Sequence, residues 1–257
     1  MAVAATDPAL RPLLDWFAAE GRDLPWRRTR DPWKVLVSEV MLAQTQVPRV
    51  IPYFERFIAR WPTPAALAGE PLGEVLAAWQ GLGYPRRARD LRAAAAIVAD
   101  EGWPGDLRTL PGVGPYIASA VRCFAFGEPV VPVDVNVRRV LARRFAQGPP
   151  AVAPTDGWTV GQALMEVGQR VCTARAPRCL ECPLGSGCSG PPQDAPATAR
   201  RQARYRGSRR QARGLLLARV LAEGEVSLAE SCVPRAIAES LVDDGLLTQE
   251  GDRLRAP

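Results

Sequence analysis

The chain has 257 residues, 47% apolar and 23% charged, which predicts one or two globular domains, excludes wholesale disorder and leaves no apolar run near the ~20 residues of a membrane span. It contains no histidine and a single lysine, Lys34, which excludes histidine triads, imidazole bases and histidine metal ligands and leaves lysine Schiff-base chemistry almost nowhere to sit. The net charge of +6 rests on 32 arginines, a balance that admits a polyanionic partner and that a GC-rich genome also produces.

Apolar periodicity predicts helices at 10–19, 33–46, 50–61 (with Pro52 in its first turn), 72–80, 88–101, 117–126, 135–145 and 159–171. Turn signals separate them at Trp61-Pro62, Gly81-Leu82-Gly83, Pro111-Gly112-Val113-Gly114 and Gly148-Pro149-Pro150. No alternation marks a strand in this part, and the N-terminus lacks the basic start and apolar stretch of a signal peptide, so a cytoplasmic protein is expected. A Pro-rich polar linker is predicted at 191–199, followed by seven arginines between Arg200 and Arg213. The remainder predicts helices at 214–222, 226–231 and 234–243, then two short strands around Glu250-Gly251. That order suggests a small winged-helix-like module within 200–257.

Four of the six cysteines cluster: Cys172, Cys179, Cys182 and Cys188, spaced C-x6-C-x2-C-x5-C. In a cytoplasmic chain such a cluster argues for metal rather than disulfides. Zinc and a [4Fe–4S] cluster both accept four thiolates; only Cys179 and Cys182 form the short knuckle zinc usually takes twice, which favours the iron–sulfur reading. Cys123 and Cys232 read as buried small hydrophobes. The cysteine spacing, after the helical GQALMEVGQRVC, resembles the iron–sulfur loop of the endonuclease III and MutY-type DNA glycosylases, with likeness running from about Leu14 to Cys188. The resemblance implies a [4Fe–4S] cluster on those four cysteines. It also implies an all-α, two-lobed helix–hairpin–helix fold: a six-helix lobe over about 27–130 with its hairpin at 108–126, and an iron–sulfur lobe from about 8–26 and 131–190.

Leu110-Pro111-Gly112-Val113-Gly114 precedes a helix opening at Pro115. Two glycines let the backbone approach a ligand, and helix-start N–H groups favour a phosphate; an ordinary helix–helix turn has the same residues. LPGVG followed by PYIASAV resembles the hairpin with which this superfamily grips a DNA backbone phosphate, implying DNA contacts from Leu110, Gly112, Val113 and Gly114.

Asp134 stands 20 residues past Gly114 among Val131, Val133, Val135 and Val137. A carboxylate isolated among valines is costly when ionised, while a helix N-cap is a compatible role for it. The resemblance assigns the Asp of this D-x-N segment to stabilising the sugar cation. Glu39 lies in WKVLVSEVMLAQTQ, a helix apolar nearly all round. A buried glutamate holds its proton toward neutral pH, as a general acid must; a single charge on a solvated stripe is the alternative. SEVML-x-QTQ resembles the MutY-type signature whose Glu is the catalytic acid. The lyase branch places its lysine where this chain has Tyr116, which implies base excision without strand cleavage. Tyr116 itself reads as pocket residue or half-buried core aromatic.

By the same resemblance Gln44 inserts into the base stack with Thr45 beside it, and Tyr84 wedges beside the base opposite the target. Arg86, Arg87 and Arg89 follow and either meet phosphates or form a solvated face. Ala43, Pro85 and Val135 depart from the family pattern. Only 69 residues follow Cys188, fewer than the usual MutY-type C-terminal domain, and that domain's histidine-containing recognition element for 8-oxoguanine is absent. GYPRRARDL and DVNVRRVLAR look like the short actinobacterial members. The expectation is therefore a monomeric, monofunctional glycosylase of base excision repair, bound to double-stranded DNA with a mispair and hydrolysing the N-glycosidic bond of adenine opposite 8-oxoguanine or guanine. The alternatives are a thymine or uracil glycosylase at G mismatches, favoured by Tyr116 and opposed by Glu39, and a non-catalytic iron–sulfur DNA-binding protein.

Overall fold

The structure is a computed structural model, and it describes residues 6–146, 150–152, 154–191 and 204–257. The predicted linker, apart from Pro191, and Arg200 and Arg201 lie outside the described residues, as do two positions of the Gly148-Pro149-Pro150 turn. The chain divides into two compact units: Met1–Glu39 with Val113–Thr198, and Val40–Gly112 with Ala199–Pro257. No described helix is long and apolar enough to cross a membrane.

Helices α1 (Arg11–Glu20), α2 (Pro32–Leu42), α3 (Val47–Arg60), α4 (Pro64–Ala68), α5 (Leu72–Trp79), α6 (Arg86–Glu101), α7 (Pro115–Phe124), α8 (Val135–Arg144) and α9 (Gly157–Arg170) come first in the chain. Then follow α10 (Arg209–Glu223), β1 (Glu225–Ser227), α11 (Arg235–Asp243), β2 (Thr248–Glu250) and β3 (Arg253–Arg255). The mostly helical expectation holds, with three boundary corrections. Helix α2 stops at Leu42 instead of Gln46, because Gln44 takes φ 62° and leaves helical space. Helix α3 starts at Val47, so Pro52 lies inside it. Helix α4 has no counterpart among the predicted elements; Thr63 caps it by accepting a hydrogen bond from the Ala66 N–H.

In the first unit α9 is the central helix, packed by α1, α7 and α8. It is buried on every side from Val160 to Gly168. Its glycines admit this: a Cβ at Gly168 would stand 2.9 Å from Asn136 Cβ at the start of α8. Glu166 is fully buried on this helix and is neutralised by three arginines, two of them from outside it. Arg22 donates to it at 2.7 and 2.9 Å, Arg27 at 2.8 Å and Arg170 at 3.3 Å. Burial alone would push this carboxyl up; the arginines hold it down at about 2.

In the second unit α4 and α5 pack on α6 around Phe57, Trp61 and Trp79, with Phe57 edge-on to both indoles at 4.6 and 5.9 Å. The C-terminal module belongs to this unit. Its α10 packs on α5, and the Gly73 N–H at the start of α5 donates to the Pro257 carbonyl at 3.2 Å. The module carries an antiparallel sheet of order β1-β3-β2. The helix predicted at 226–231 is replaced by β1 and a turn. Val226 pairs with Leu254 and both are buried, so tertiary pairing wins over local pattern. The Ser227 hydroxyl then accepts from the Ala229 N–H, turning the chain away from a helix. The two strands around Glu250-Gly251 form as expected.

Candidate active site

Every residue of α2 from Val35 to Met41 is buried, so the carboxyl of Glu39 enters the interior on a helix apolar all round. Glu39 is 5% exposed. Its pKa is pushed up to about 7, first by burial and further by the nearby Asp134 carboxylate, against a hydrogen bond from the Tyr116 hydroxyl that lowers it. Tyr116, in the first turn of α7, is half-buried, and its hydroxyl also stands 3.8 Å from Met165 Sδ of α9. Burial and the two carboxylates raise the Tyr116 phenol well above its ordinary range, so it stays a proton donor. Glu39, Tyr116 and Asp134 thus come to one place in the first unit, from α2, α7 and the start of α8.

Asp134 is the N-cap of α8. Its Oδ1 accepts from the Asn136 N–H at 2.9 Å and the Val137 N–H at 2.7 Å, and its Oδ2 from Asn136 Nδ2 at 2.7 Å. Enclosure by valines is corrected: Val133 and Val135 are exposed, at 38% and 70%. Donors at the helix start, not apolar walls, surround this carboxylate, and they complement a negative charge. Two carboxyls near each other in unlike environments, one apolar and one rich in donors, can divide acid and counter-ion roles.

The cysteine loop follows α9. Cys182 is pushed up by burial, opposed by the Leu184 backbone and raised again by Cys172, Cys188 and Cys179, so the four sulfurs share one neighbourhood. Among the described residues no group of three or more cysteine or carboxylate side chains stands in position to hold a metal ion. The donor chemistry fits an anionic sulfur-bound group. Arg143 Nη1 donates to Cys172 Sγ at 3.3 Å, and the Gly190 N–H donates to Cys188 Sγ at 3.4 Å. Cys123 is buried, as read; Cys232 is exposed, which corrects its reading as a core residue, since it sits at φ 54° in the turn before α11.

At the hairpin Leu110 and Val113 are buried, while Gly112 and Gly114 are exposed. Gly112 takes φ 75°, and a Cβ there would lie 2.9 Å from Asp90 Cβ; Gly114 is the N-cap of α7, with Pro115 following. In the second unit two turns come together. Gln44 is exposed at φ 62° and Tyr84 is 41% exposed at φ 50°, both unusual for side-chain-bearing residues. Thr45 binds between them, its hydroxyl donating to the Leu82 carbonyl at 3.4 Å.

Arg87 is the organiser that sequence reading misses. Its guanidinium donates to the carbonyls of Val40, Met41 and Ala43 at 2.7, 3.0 and 2.6 Å and to those of Leu82 and Gly83 at 3.2 and 3.0 Å. It also donates to the Thr45 hydroxyl at 3.1 Å. Burial lowers it to about 10. Neither open reading of Arg87, a phosphate contact or a solvated face, holds: its donors are spent on the end of α2 and the turn before α6. Arg89 is corrected likewise, bound to Asp90 and to the Asp244 carbonyl. Arg86 alone of the three is exposed, with a 3.4 Å ion pair to Asp244. The signal for Arg87 is its place three residues after a glycine-flanked aromatic, but no local rule names its carbonyl partners.

Residues 37–151 match the HhH-GPD superfamily of base excision DNA repair proteins. The adenine DNA glycosylase of Mycolicibacterium smegmatis is 44% identical over 93% of this chain and 92% of its own length. The human adenine DNA glycosylase is 41% identical over 68% of this chain and 38% of its own. Among solved structures, a thermostable thymine-DNA glycosylase superposes with TM-score 0.64 at 27% identity, covering 70% of this chain and 93% of its own. An endonuclease III–DNA complex gives 0.57 at 26%, covering 70% and 93%. Likeness across almost the whole chain, C-terminal module included, and the family match over 37–151 lead to one assignment: the chain belongs to the adenine DNA glycosylase family, hydrolases of the N-glycosyl bond that act on DNA.

Proposed function

We propose that this glycosylase excises adenine mispaired with 8-oxoguanine or guanine, hydrolytically and without cutting the strand. The observation that carries the mechanism is the buried Glu39 with its pKa raised to about 7, beside a hydroxyl and a second carboxylate. A base stacked in duplex DNA is out of reach, so the target adenine is first extruded. Protonated Glu39 then donates to a ring nitrogen of adenine, which becomes a neutral leaving group as the glycosidic bond breaks. Asp134, under its three donors, offsets the cationic sugar with its carboxylate. Ionised Glu39 takes a proton from the water that attacks the sugar, which leaves an abasic site and returns the acid to its starting state. Tyr116 stands where a lyase needs an amine, and it orients Glu39 instead.

Gln44 enters the stack with Thr45 beside it, Tyr84 wedges beside the base opposite the target, both from turns held by Arg87, and backbone N–H groups of Leu110, Gly112, Val113 and Gly114 meet a phosphate. Cys172, Cys179, Cys182 and Cys188 hold a [4Fe–4S] cluster, which when bound braces the loop and adds no redox step to the hydrolysis. The protein acts as a monomer in the cytoplasm.

The test is a duplex carrying adenine opposite 8-oxoguanine, incubated with holo-protein and scored for breaks with and without hot alkali. Breaks only after alkali are expected. Breaks without alkali would contradict hydrolysis as the sole activity. Intact adenine with excision of thymine or uracil opposite guanine would replace the substrate, the reading for which the likeness to a thymine-DNA glycosylase speaks.

A further inference from the structure

The C-terminal module and the start of α6 share a pocket of about 380 Å³, lined by Arg86, Arg209, Arg210, Arg213, Ser240, Asp243 and Asp244. Four guanidiniums face two carboxylates. One carboxylate is already engaged: Asp244 pairs with Arg86 at 3.4 Å and with Arg213, while Arg213 also donates to the Ser240 hydroxyl. These bonds fix the walls and leave the pocket cationic. Arg209 and Arg210 are exposed at its rim, at the start of α10. The segment leading in continues the pattern: Arg204 and Arg206 are exposed around Tyr205, itself 57% exposed. Arginine interleaved with an exposed aromatic suits a nucleic-acid backbone, and arginine is the side chain fitted to bidentate phosphate binding.

We propose that this pocket is a second DNA-binding site, taking the phosphodiester backbone of the duplex, with Arg86, Arg209 and Arg210 as its phosphate ligands and Arg213 as the residue that positions them. It rests on the reading that the chain is a DNA glycosylase, and adds how the C-terminal module takes part in holding the duplex. Arg86 is two positions from Tyr84, so backbone held here fixes the register of DNA against the Tyr84 turn. Phosphate binding of this kind positions the duplex and carries no sequence information.

The test uses the full chain and an adenine-containing duplex, with binding measured by fluorescence anisotropy over a range of salt. Removing one phosphate ligand lowers the slope of log Kd against log salt by about 0.9. R209A/R210A and R86A are expected to lower the slope by about one to two and about one respectively, and to weaken binding about tenfold at about 150 mM salt. R11A/R28A, which removes the same charge at exposed ion pairs of the other unit, is the control and should leave the slope unchanged. Unchanged slopes in the pocket variants, or an equal fall in the control, would overturn the proposal. A wild type that binds with the full slope but releases no adenine would instead overturn the reading of function.

Discussion

At the scale of single residues the chain keeps one carboxyl where burial favours its neutral form and another where arginines favour its charge. Glu39 titrates at about 7 in the fold against an ordinary 4.5. A raised carboxylate makes folding less favourable as pH climbs from the ordinary value through the folded one, so the penalty develops between about 4.5 and 7 and amounts to roughly 3 kcal/mol above that. Glu39→Gln removes the penalty: in urea unfolding it should be more stable than the wild type by about 2–3 kcal/mol at about pH 8.5 and nearly equal at about pH 4. A variant whose advantage over the wild type is no greater in alkali than in acid would contradict a buried, protonated Glu39. Glu166 has the opposite sign. Held at about 2 by its arginines, it contributes stability above about 4.5 that disappears as pH falls toward 2. Glu166→Gln leaves Arg22 and Arg27 facing a neutral amide in a buried site, so it should cost about 3 kcal/mol at about pH 7 and little at about pH 2.

At the scale of elements, two turns with side chains at positive φ need something to hold them. Arg87 does so through hydrogen bonds to carbonyls of the α2 end and of the turn before α6, and to the Thr45 hydroxyl. Arg87→Met leaves those carbonyls unpaired and should lower stability by more than about 2 kcal/mol. Backbone amides of 43–46 and 81–84 should then exchange faster than the rest of the unit in hydrogen-exchange measurements; uniform exchange would contradict the clamp. Legibility divides along the same line. The four cysteines, the LPGVG turn and the apolar helix around Glu39 are local patterns, readable because the physics of each is contained in one short stretch of chain. Arg87 binds carbonyls up to 47 positions away, and Arg22 meets Glu166 across 144. Side chains that serve distant backbone leave no periodic trace. The strand β1 escapes sequence reading for the same reason, since its partner β3 lies far along the chain, Glu225 facing Arg255.

At the scale of the molecule, the chain's arginines are divided between structure and surface. Arg27, Arg87 and Arg143 are drawn into the fold, the first to a carboxylate and the others mostly to backbone carbonyls, while Arg86, Arg209 and Arg210 face a pocket. Net charge alone does not separate these two uses, which is why a basic composition is an ambiguous guide to DNA binding. The C-terminal module is an integral part of its unit, since α5 is covered by α10 and Gly73 by the chain end, where a Cβ would lie 2.9 Å from Ala256 Cβ. Whether one buried glutamic acid delivers the proton for adenine release is tested by single-turnover excision of adenine opposite 8-oxoguanine across about pH 5–9, for the wild type and for Glu39→Gln. We expect a wild-type rate that falls about tenfold per pH unit above about 7, and a variant that binds the duplex with unchanged Kd but excises on the order of a thousandfold more slowly. A flat wild-type profile together with an active variant would place the proton donor elsewhere.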